Sequence, residues 1–341
     1  MADPSPDDLV MEQESRGHGH CVIPARLSAI RSEAKDVVSL HLVPGAQTPF
    51  PAFEPGAHID LWLEAGLVRS YSLVNAPEDS DRYVVAVLKE SGSRGGSRFV
   101  HEKLRVGDII NISAPRNTFP LSDDDGVSVL LAGGIGITPI YCMMCHLLQS
   151  GRTVELIYCS RSRDYAAFSE AIKSLATNHK NLSVVWHFDS EQGGPPSLVS
   201  LLQSHGPEAH YYCCGPTAMI EAFSAACVRL GYPKTHIERF SRATALVPDP
   251  KDSAFMVQLS RMGISLSVSA DESILDALIN AGLSPAFSCK EGICGTCETP
   301  VLSGEIDHRD EVLSEDERRS GRTMMICVSR CKGKGPLVLD V

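Results

Sequence analysis

The sequence predicts a multidomain protein: an antiparallel β-barrel, then an α/β domain built on a parallel sheet, then a small α+β domain. Three observations support this. Short β-rich runs fill the first third, strands alternate with helices in the middle, and paired β runs, a helix and a cysteine-rich loop end the chain. A length of 341 residues with 43% apolar content suits several separate cores.

The first block, residues 20–125, is predicted to form the barrel. Its runs VSLHLV, HIDLWL, SYSLV, YVVAVL and IINIS are separated by proline, glycine and asparagine. Short strands with such turn residues are typical of a closed antiparallel sheet. Residues 1–19 show no comparable pattern, and we expect a disordered tail there.

The second block, residues 126–243, alternates the strands VSVLLA, VELIYC, SVVWHF and AHYYCC with helical segments. This rhythm predicts a parallel sheet with crossover helices. The predicted helices cover residues 140–149, 168–176 and 218–230. A Pro- and Asp-rich stretch, residues 244–253, is predicted to link this block to a third domain at residues 254–341.

The third block holds the most specific motif of the chain. Its cysteines follow the spacing C-x4-C-x2-C with a distant fourth, namely Cys289, Cys294, Cys297 and Cys327. This is the plant-type spacing for a [2Fe–2S] cluster. Gly292 and Gly295 let the loop fold round an inorganic core without an intervening Cβ. The motif therefore predicts a carrier of single electrons.

Two alternatives to this interpretation stay open. Four cysteines can also hold zinc, which would suit a zinc-stabilised binding protein without turnover, although only Cys294 and Cys297 form the C-x2-C pair that zinc sites favour. Cys331 lies four residues after Cys327 and could compete with it as a ligand.

In the second block, strand VSVLLA runs directly into Gly133-Gly134-Ile135-Gly136-Ile137-Thr138-Pro139 and a helix. Glycines let a pyrophosphate approach the backbone, and the helix N-terminus offers it unpaired N–H groups. A second strand end carries Cys214-Gly215-Pro216, and ligands of open α/β sheets bind at such ends. The two together predict a dinucleotide site.

The first block adds two motifs. Arg69 and Tyr71 share one face of a predicted strand, and Ser70 and Ser72 share the other. The segment Arg94-Gly95-Gly96-Ser97 opens a short helix and offers donors to an anion. Beside a dinucleotide site and an iron–sulfur module, these groups suggest a flavin phosphate.

In this order, the motifs resemble the phthalate dioxygenase reductase and vanillate demethylase reductase family over residues 20 to 341. The likeness rests on RSYS (69–72), RGGS (94–97), GGIGITP (133–139), YCSRS (158–162), CCGP (213–216), ERF (238–240) and the cysteine motif. It implies a flavin barrel, a nicotinamide-nucleotide domain and a β-grasp-like ferredoxin domain. It also implies FMN, NADH and a Rieske oxygenase as electron acceptor.

The resemblance further implies roles for individual residues. For the flavin and its phosphate these are Arg69, Tyr71, Ser72, Arg94, Gly96 and Ser97, with Lys89 in the same cofactor-binding set. For the nucleotide they are Gly134, Gly136, Ser160, Arg161, Asp189, Cys214, Gly215 and Pro216. Thr138 would lie near the flavin ring, Phe240 would cover it, and Cys214 would contact the nicotinamide, so these three are the catalytic candidates. The reaction needs no general acid or base, since the cofactors carry the chemistry.

The choice of nucleotide is contested within the sequence. The strand VELIYC ends at Ser160-Arg161-Ser162-Arg163, where an acid that binds a ribose 2′-OH would normally stand, and arginines favour the 2′-phosphate of NADPH. The family resemblance favours NADH, and Asp164 could neutralise these arginines. We expect NADH.

Composition bounds the partners. A net charge of −11 argues against nucleic acid and anionic membranes. The N-terminus lacks a basic and then apolar signal, and no apolar run reaches membrane-spanning length, so a cytoplasmic protein, expected to be a monomer, is predicted. The oxygenase is expected to dock near the ferredoxin domain through acidic residues of segment 305–317. The reductase of a di-iron monooxygenase is an alternative, although in such reductases the domain order resembles the reverse, with the ferredoxin domain N-terminal.

Cys142 and Cys145 form a C-x-x-C motif. They lie on one face of a predicted helix, where we expect their side chains to pack rather than to carry out redox chemistry.

Overall fold

The computed structural model describes residues 22–64, 67–93, 95–124, 126–241, 252–333 and 335–341. Three larger sheets organise this part of the chain: six-stranded, five-stranded parallel and five-stranded mixed. The predicted multidomain fold class is confirmed. The predicted tail at 1–19 and residues 244–251 of the predicted linker lie outside the described residues.

The first sheet is antiparallel, with strand order β4-β3-β6-β1-β2-β5. A bridge between Leu73, directly after β4, and Val85 in β5 joins its two edges and closes the barrel. One helix, α1 (Gly96–Glu102), follows β5. The strands are β1 (Val22–Ala34), β2 (Val37–Pro44), β3 (His58–Trp62), β4 (Val68–Ser72), β5 (Tyr83–Leu88) and β6 (Ile109–Ser113).

The longest strand of the barrel has no counterpart among the predicted runs. β1 has 13 residues and pairs with both β2 and β6. It carries Pro24, Arg26, Arg31 and Glu33, and only Ala25 and Leu27 are fully buried. Irregular register along β2 further blurs the alternation that would signal a strand.

The second sheet is parallel throughout, in the order β11-β10-β7-β8-β9. Its strands are β7 (Ser128–Gly133), β8 (Val154–Ser160), β9 (Leu182–Phe188), β10 (His210–Cys214) and β11 (Thr235–Glu238). Its helices are α2 (Ile137–Gln149), α3 (Ser169–Asn178), α4 (Asp189–Gln192), α5 (Leu198–Leu202) and α6 (Thr217–Leu230). Every residue of β7 is buried, as expected for a central strand covered on both faces.

The third sheet has the order β13-β12-β18-β14-β16, in which β12 and β18 are parallel and the other neighbours antiparallel. With α7 packed on it, this is the expected β-grasp-like arrangement. Its elements are β12 (Phe255–Leu259), β13 (Ile264–Val268), α7 (Ile274–Asn280), β14 (Glu298–Ser303), α8 (Glu315–Ser320), β16 (Thr323–Met325) and β18 (Leu337–Leu339). A separate pair joins β15 (Ile306–Asp307) to β17 (Arg330–Cys331).

Helix α2 contains the C-x-x-C pair. Cys142 is fully buried and donates its thiol hydrogen to the backbone oxygen of Asn75 at 3.1 Å, while Cys145 is half-buried. Both face packed surroundings, as expected of side chains used for packing. Across the described residues, no helix combines the length and apolar character needed to cross a membrane.

Candidate functional site

One cavity takes its walls from the barrel, from the carboxyl edge of the parallel sheet and from the cysteine-rich loop. Its barrel side includes His58, Arg69, Ser70, Tyr71, Ser72, Leu88, Glu90 and Ser97. Its second wall includes Ile135, Thr138, Glu238, Arg239 and Phe240, and its third includes Ser288, Cys289, Ile293 and Cys294. The predicted flavin, nucleotide and cluster regions therefore meet at a single place.

The barrel wall is organised by β4. Arg69 and Tyr71 are half-buried and Ser72 is buried, and all three line the cavity. Gly96 lies against Arg69, because a Cβ at Gly96 would come within 2.6 Å of Cγ of Arg69. Ser97 lines the same wall, where its hydroxyl accepts a hydrogen bond from the backbone N–H of Glu90 at 3.3 Å. The structure thus brings most of the predicted flavin residues together.

Two residues of the predicted flavin set differ. Lys89 is not among the described residues that line the cavity; its exposed ammonium pairs with Glu102 at 3.1 Å instead. Lys89 lies directly after the end of β5, between Leu88 and Glu90, which both line the cavity. Arg94 lies outside the described residues.

The glycine-rich turn connects β7 to α2 through a short 3-10 turn at Gly134–Gly136. Gly136 is pressed against the end of β10, since a Cβ there would lie 2.2 Å from the backbone oxygen of Cys214. Gly134 has φ +54° with nothing within 4 Å of an added Cβ. The turn and the segment Cys214, Gly215 and Pro216 therefore lie side by side at the carboxyl edge of the sheet, where open α/β sheets bind ligands.

The end of β11 completes this edge. Glu238 pairs in register with Cys214, and Phe240 follows two residues later with 43% of its surface exposed. Thr138 is buried at the start of α2 and donates to the backbone oxygen of Ile135 at 3.1 Å. Cys214 is fully buried, which raises the pKa of its thiol well above the ordinary value and favours the neutral form. A neutral, buried thiol is a poor nucleophile, and Cys214 is not among the described residues that line the cavity.

Glu238 is an unusual member of this cavity wall. Burial raises the pKa of its carboxyl from 4.5 to about 8, because a buried charge loses its hydration. Its Oε2 is buried and has no hydrogen-bond partner among the described residues. A buried polar atom left without a partner in a cavity wall is a place for a ligand group to bind.

Arg161 and Arg163, which follow the end of β8, each contact a neighbouring side chain. Arg163 makes two hydrogen bonds to Glu191, at 2.7 and 2.9 Å, so Glu191 neutralises it rather than Asp164. Arg161 is exposed and lies over the ring of Tyr165 at 4.6 Å. Ser160 is buried at the end of β8, and Asp189 begins α4 with His187 at 3.4 Å. These residues flank the glycine turn at the same sheet edge.

The four predicted cluster cysteines are mostly inaccessible to solvent. Cys294, Cys297 and Cys327 are buried and Cys289 is half-buried. A hydrogen bond with Cys289, followed by burial, raises the pKa of the Cys294 thiol. Cys327 has hydrogen bonds with Cys289, which lowers its pKa, and with Cys297, which together with burial raises it overall. The thiol of Cys289 therefore lies near those of Cys294 and Cys327, and the thiol of Cys297 lies near that of Cys327.

The space around these thiols is tight on one side. Gly292 has φ +70°, and a Cβ there would meet Cγ2 of Val328 at 2.6 Å. Cys331 lies apart, with its thiol 3.4 Å from the backbone oxygens of Gly333 and Gly335. Three cysteines on one loop, with Cys327 near two of them, suit the chemistry of a [2Fe–2S] cluster, which they would bind as thiolates.

Several cavity residues were missed by sequence reasoning as members of the site, namely His58, Glu238, Arg239 and Ser288. Glu238 stands in the motif Glu238-Arg239-Phe240, but its burial against Cys214 follows only from the register of β11. His58 carries no recognisable motif, although its Nε2 lies 3.3 Å from the backbone oxygen of Cys294. A buried histidine in a barrel strand gives no signal in the sequence.

Comparison with known proteins agrees with this geometry. Residues 257–332 match the 2Fe-2S iron-sulfur cluster binding domain, and residues 130–225 match the oxidoreductase NAD-binding domain. The chain is 45% identical to the putative toluene-4-sulfonate monooxygenase system reductase subunit TsaB2 of Comamonas testosteroni, over 94% of this chain and 99% of that protein. The match to an iron–sulfur domain disfavours the zinc alternative.

Solved structures give the same result. A phthalate dioxygenase reductase is 33% identical with a TM-score of 0.68, and the match covers 94% of this chain and 98% of that one. An intact type IV self-sufficient cytochrome P450 monooxygenase is 38% identical with a TM-score of 0.82, and the match covers 94% of this chain but 41% of that longer one. This chain belongs to the phthalate dioxygenase reductase and vanillate demethylase reductase family, and it is an oxidoreductase that uses NADH, FMN and a [2Fe–2S] cluster.

Proposed function

We propose that this chain is the reductase component of a Rieske-type oxygenase system and passes electrons from NADH to a separate terminal oxygenase. The observation that carries the proposal is the single cavity with walls from the barrel, the nucleotide-binding sheet and the cluster loop. A bound flavin supplies the conversion of one two-electron hydride into two one-electron transfers. The protein must then hold nicotinamide, flavin and cluster close together, and this cavity has that property.

We assign the barrel wall to the flavin. Arg69, Tyr71, Ser72, Gly96 and Ser97 would hold the flavin and its phosphate, with Arg94 added from the sequence motif. Arg69 supplies a guanidinium suited to phosphate, and Tyr71 supplies a ring suited to a flat heterocycle. Lys89 is a weaker member of the set, because Glu102 holds its ammonium. Phe240 is exposed on the opposite wall and would cover the flavin ring until nicotinamide replaces it.

We assign the carboxyl edge of the parallel sheet to NADH. Gly134 and Gly136 would let the pyrophosphate approach the backbone, and Cys214, Gly215 and Pro216 would border the nicotinamide. Thr138 and the neutral carboxyl of Glu238 would lie on the ring side, since both line the shared cavity. Ser160, Arg161 and Asp189 would border the adenosine half.

We assign Cys289, Cys294, Cys297 and Cys327 to the cluster. Of these, Cys289 and Cys294 line the shared cavity, so they form the side of the cluster loop nearest the proposed flavin. No proton needs to be moved between the two centres. The protein's contribution to this step is therefore the spacing of the two sites and the exclusion of water.

Fewer acidic side chains of segment 305–317 are accessible for docking than the composition of the segment predicts. Asp310 is buried and accepts hydrogen bonds from the backbone N–H groups of Val312 and Leu313. Glu311 pairs with Arg239 at 3.4 Å. Glu315 and Asp316 keep 92% and 89% of their side-chain surface exposed. We propose that these two contribute to the docking face on the ferredoxin domain.

Three further assignments go with this function. We propose the domain division 20–125, 126–243 and 254–341, with linker 244–253 and a tail at 1–19. We propose a monomer and a cytoplasmic location, where NADH is the available electron donor. The reductase of a di-iron monooxygenase is the rival function, and the C-terminal position of the ferredoxin domain favours the Rieske assignment.

The decisive experiment is reconstitution. The purified protein, mixed with NADH and the terminal oxygenase encoded beside its gene, should reduce the Rieske centre of that oxygenase. Reduction is read from the electron paramagnetic resonance signal of the oxygenase. Transfer to a di-iron hydroxylase but not to a Rieske protein would overturn the assignment. The Glu315→Lys and Asp316→Lys variants should slow this transfer while ferricyanide reduction by NADH stays unchanged.

A further inference from the structure

A buried carboxylate in the barrel is bound by a residue of the cluster loop. Asp60 lies on β3 with 0% of its surface exposed. Its Oδ1 accepts a hydrogen bond from the hydroxyl of Ser70 at 2.5 Å. Its Oδ2 accepts two, from Nη2 of Arg116 at 2.8 Å and from the hydroxyl of Thr296 at 3.1 Å. Asp60, Arg116 and Thr296 are called the interdomain junction below.

Thr296 connects this junction to the cluster ligands. It stands between Cys294 and Cys297 in the chain, is 4% exposed, and has its hydroxyl 3.2 Å from Sγ of Cys294. The same hydroxyl accepts a hydrogen bond from Nη2 of Arg116 at 3.1 Å. The cluster loop is therefore bonded to a charged pair that belongs to the barrel.

Arg116 is itself fixed to the barrel by its backbone. Its N–H donates to the backbone oxygen of His58 at 3.0 Å, and the N–H of His58 donates back at 2.8 Å. The side chain of His58 reaches the backbone oxygen of Cys294 at 3.3 Å. Both members of this pair therefore contact the loop from one end of β3.

A second contact holds the loop where it begins. The hydroxyls of Ser70 and Ser288 lie 3.1 Å apart, and Ser288 directly precedes Cys289. Ser70 is also the partner of Oδ1 of Asp60. Asp60 thus binds the loop directly through Thr296 and indirectly through Ser70.

The cost of burying the carboxylate of Asp60 favours its hydrogen bond with Thr296 over displaced positions of the loop. A buried carboxylate is costly unless its lone pairs are filled by donors. Within the barrel, Ser70 and Arg116 fill part of that requirement, and the hydroxyl of Thr296 fills more of it. Displacing the cluster loop would leave Asp60 short of a donor in a site away from water, so the seated position of the loop is favoured over displaced ones.

The strands that form the junction also form the cavity. β4 carries Ser70 at the junction and Tyr71 and Ser72 in the cavity wall, and it pairs with β3 across Asp60 and Ser70. Any ligand on that wall is therefore held at a distance from the cluster loop that the junction sets.

We propose that Asp60, Arg116 and Thr296 are positioning residues that seat the cluster loop on the barrel and thereby set the rate of electron transfer from flavin to cluster. In that transfer one electron leaves the reduced flavin and one enters the oxidised cluster, and no covalent bond forms or breaks. The inference rests on the proposed placement of the flavin, whereas the seating of the loop does not depend on it.

The test uses the holoenzyme and the variant Thr296→Val, which keeps the side-chain shape and removes the hydroxyl. Thr296→Ser restores a hydroxyl and should rescue. Thr299→Val is the matched control, because Thr299 is equally buried but donates only within its own domain, to the backbone oxygen of Cys297 at 3.2 Å. Asp60→Asn probes the junction from the barrel side.

Two measurements are made on each variant. Hydrogen exchange of residues 288–296 reports the seating of the loop and should rise several-fold in Thr296→Val and Asp60→Asn but not in Thr299→Val. Stopped-flow absorbance separates flavin reduction by NADH from cluster reduction. The first should be unchanged, and the second should slow by about tenfold or more, because small displacements of reacting groups carry large rate costs.

Each outcome decides something. Normal exchange and normal cluster reduction in both junction variants would overturn the proposal, as would an equal loss in Thr299→Val. Raised exchange with unchanged cluster reduction would show that the junction seats the loop without controlling transfer, and would also overturn it. Wild-type protein whose flavin is reduced by NADH but whose cluster is not would instead count against the proposed function.

Discussion

The cluster loop carries three of the proposed ligands in one run of nine residues, Cys289 to Cys297, whereas the cavity takes its walls from three separate parts of the chain. In the loop, spacing along the chain sets the chemistry, and the fold has only to deliver Cys327. In the cavity no two walls are neighbours in sequence. The residues of the proposed cluster site are therefore specified mainly by a local stretch of sequence. The distance between that site and the proposed flavin site is instead specified by packing between distant parts of the chain.

The largest expected effect lies in the cluster loop. Replacing Cys289, Cys294, Cys297 or Cys327 by serine should abolish the cluster or lower its iron content. Cys331→Ser, the matched control, should keep the cluster intact. Iron and labile sulfide content, with the visible spectrum, measures this. Flavin reduction by NADH should survive in all five variants, because it needs only the other two walls. A Cys327 variant that keeps its cluster while the Cys331 variant loses it would reverse the assignment.

Steric fit at the second wall gives the next largest effect. Gly136→Ala would place a Cβ 2.2 Å from the backbone oxygen of Cys214. The glycine turn and the end of β10 must then separate, at a cost of about 1–3 kcal/mol or more, and NADH should bind weakly.

Gly151→Ala, just after α2 and outside the proposed site, is the control for that substitution. Its added Cβ meets nothing within 4 Å, so only the φ of +72° is penalised, by about 1–2 kcal/mol. Denaturant unfolding and NADH titration compare the two variants. If Gly151→Ala binds NADH as poorly as Gly136→Ala, contact with Cys214 is not the reason.

A third prediction concerns the buried carboxyl in the cavity. Glu238 holds its proton in the folded protein up to a pKa of about 8, while the unfolded chain releases it near 4.5. At this group the unfolded state therefore binds fewer protons between these values, and the contribution of Glu238 to the free energy of unfolding should fall as pH rises from about 5 to 8.

Glu238→Gln lacks this titration, so its stability relative to wild type should increase over the same pH range. Melting temperatures at a series of pH values measure the difference. Glu208→Gln, at a side chain 93% exposed, should follow the wild type. A constant difference between Glu238→Gln and wild type would show that Glu238 is already ionised when folded.

The smallest effect is expected at the nucleotide edge. Glu191→Gln should free Arg163 to meet the 2′-phosphate of NADPH and shift the ratio of kcat/KM toward NADPH by up to about tenfold, or ~1.4 kcal/mol. Both side chains are partly exposed, at 66% and 43%, so a larger shift is not expected. Glu170→Gln on α3, whose partner is Lys173, is the control. An unchanged ratio would show that Arg163 does not face the ribose.

The predicted helices and strands agree with the structure where the hydrophobic periodicity is regular and Gly, Pro or Asn residues bound the segment. Five barrel strands, the helices after the glycine turn and after Pro216, and the helix at residues 274–280 agree with the sequence prediction. The long β1, with charges on its exposed face and irregular register, did not give such a signal. The short α4, α5 and β11 were also missed, because four or five residues carry too little periodicity to show.

Candidate site residues divide in the same way. Residues that stand in motifs can be predicted from their type and spacing. These are the glycines, the cysteines, Arg69 and Tyr71. Lys89 entered the predicted set through the family resemblance, yet its ammonium pairs with Glu102 and it is not among the described residues that line the cavity. Glu238 belongs to a motif, but only the pairing of β11 with β10 shows that it lies half-buried beside Cys214, with its Oε2 inaccessible.

The sequence by itself predicted the order of the three folds, the C-x4-C-x2-C run proposed for the cluster and the glycine turn, because each depends on residues near one another in the chain. Only the tertiary structure decided how the three parts meet. Asp60 is 56 residues from Arg116 and 236 residues from Thr296. No local pattern can encode a contact over such separations, since it arises only when two independently folded surfaces pair their buried polar groups.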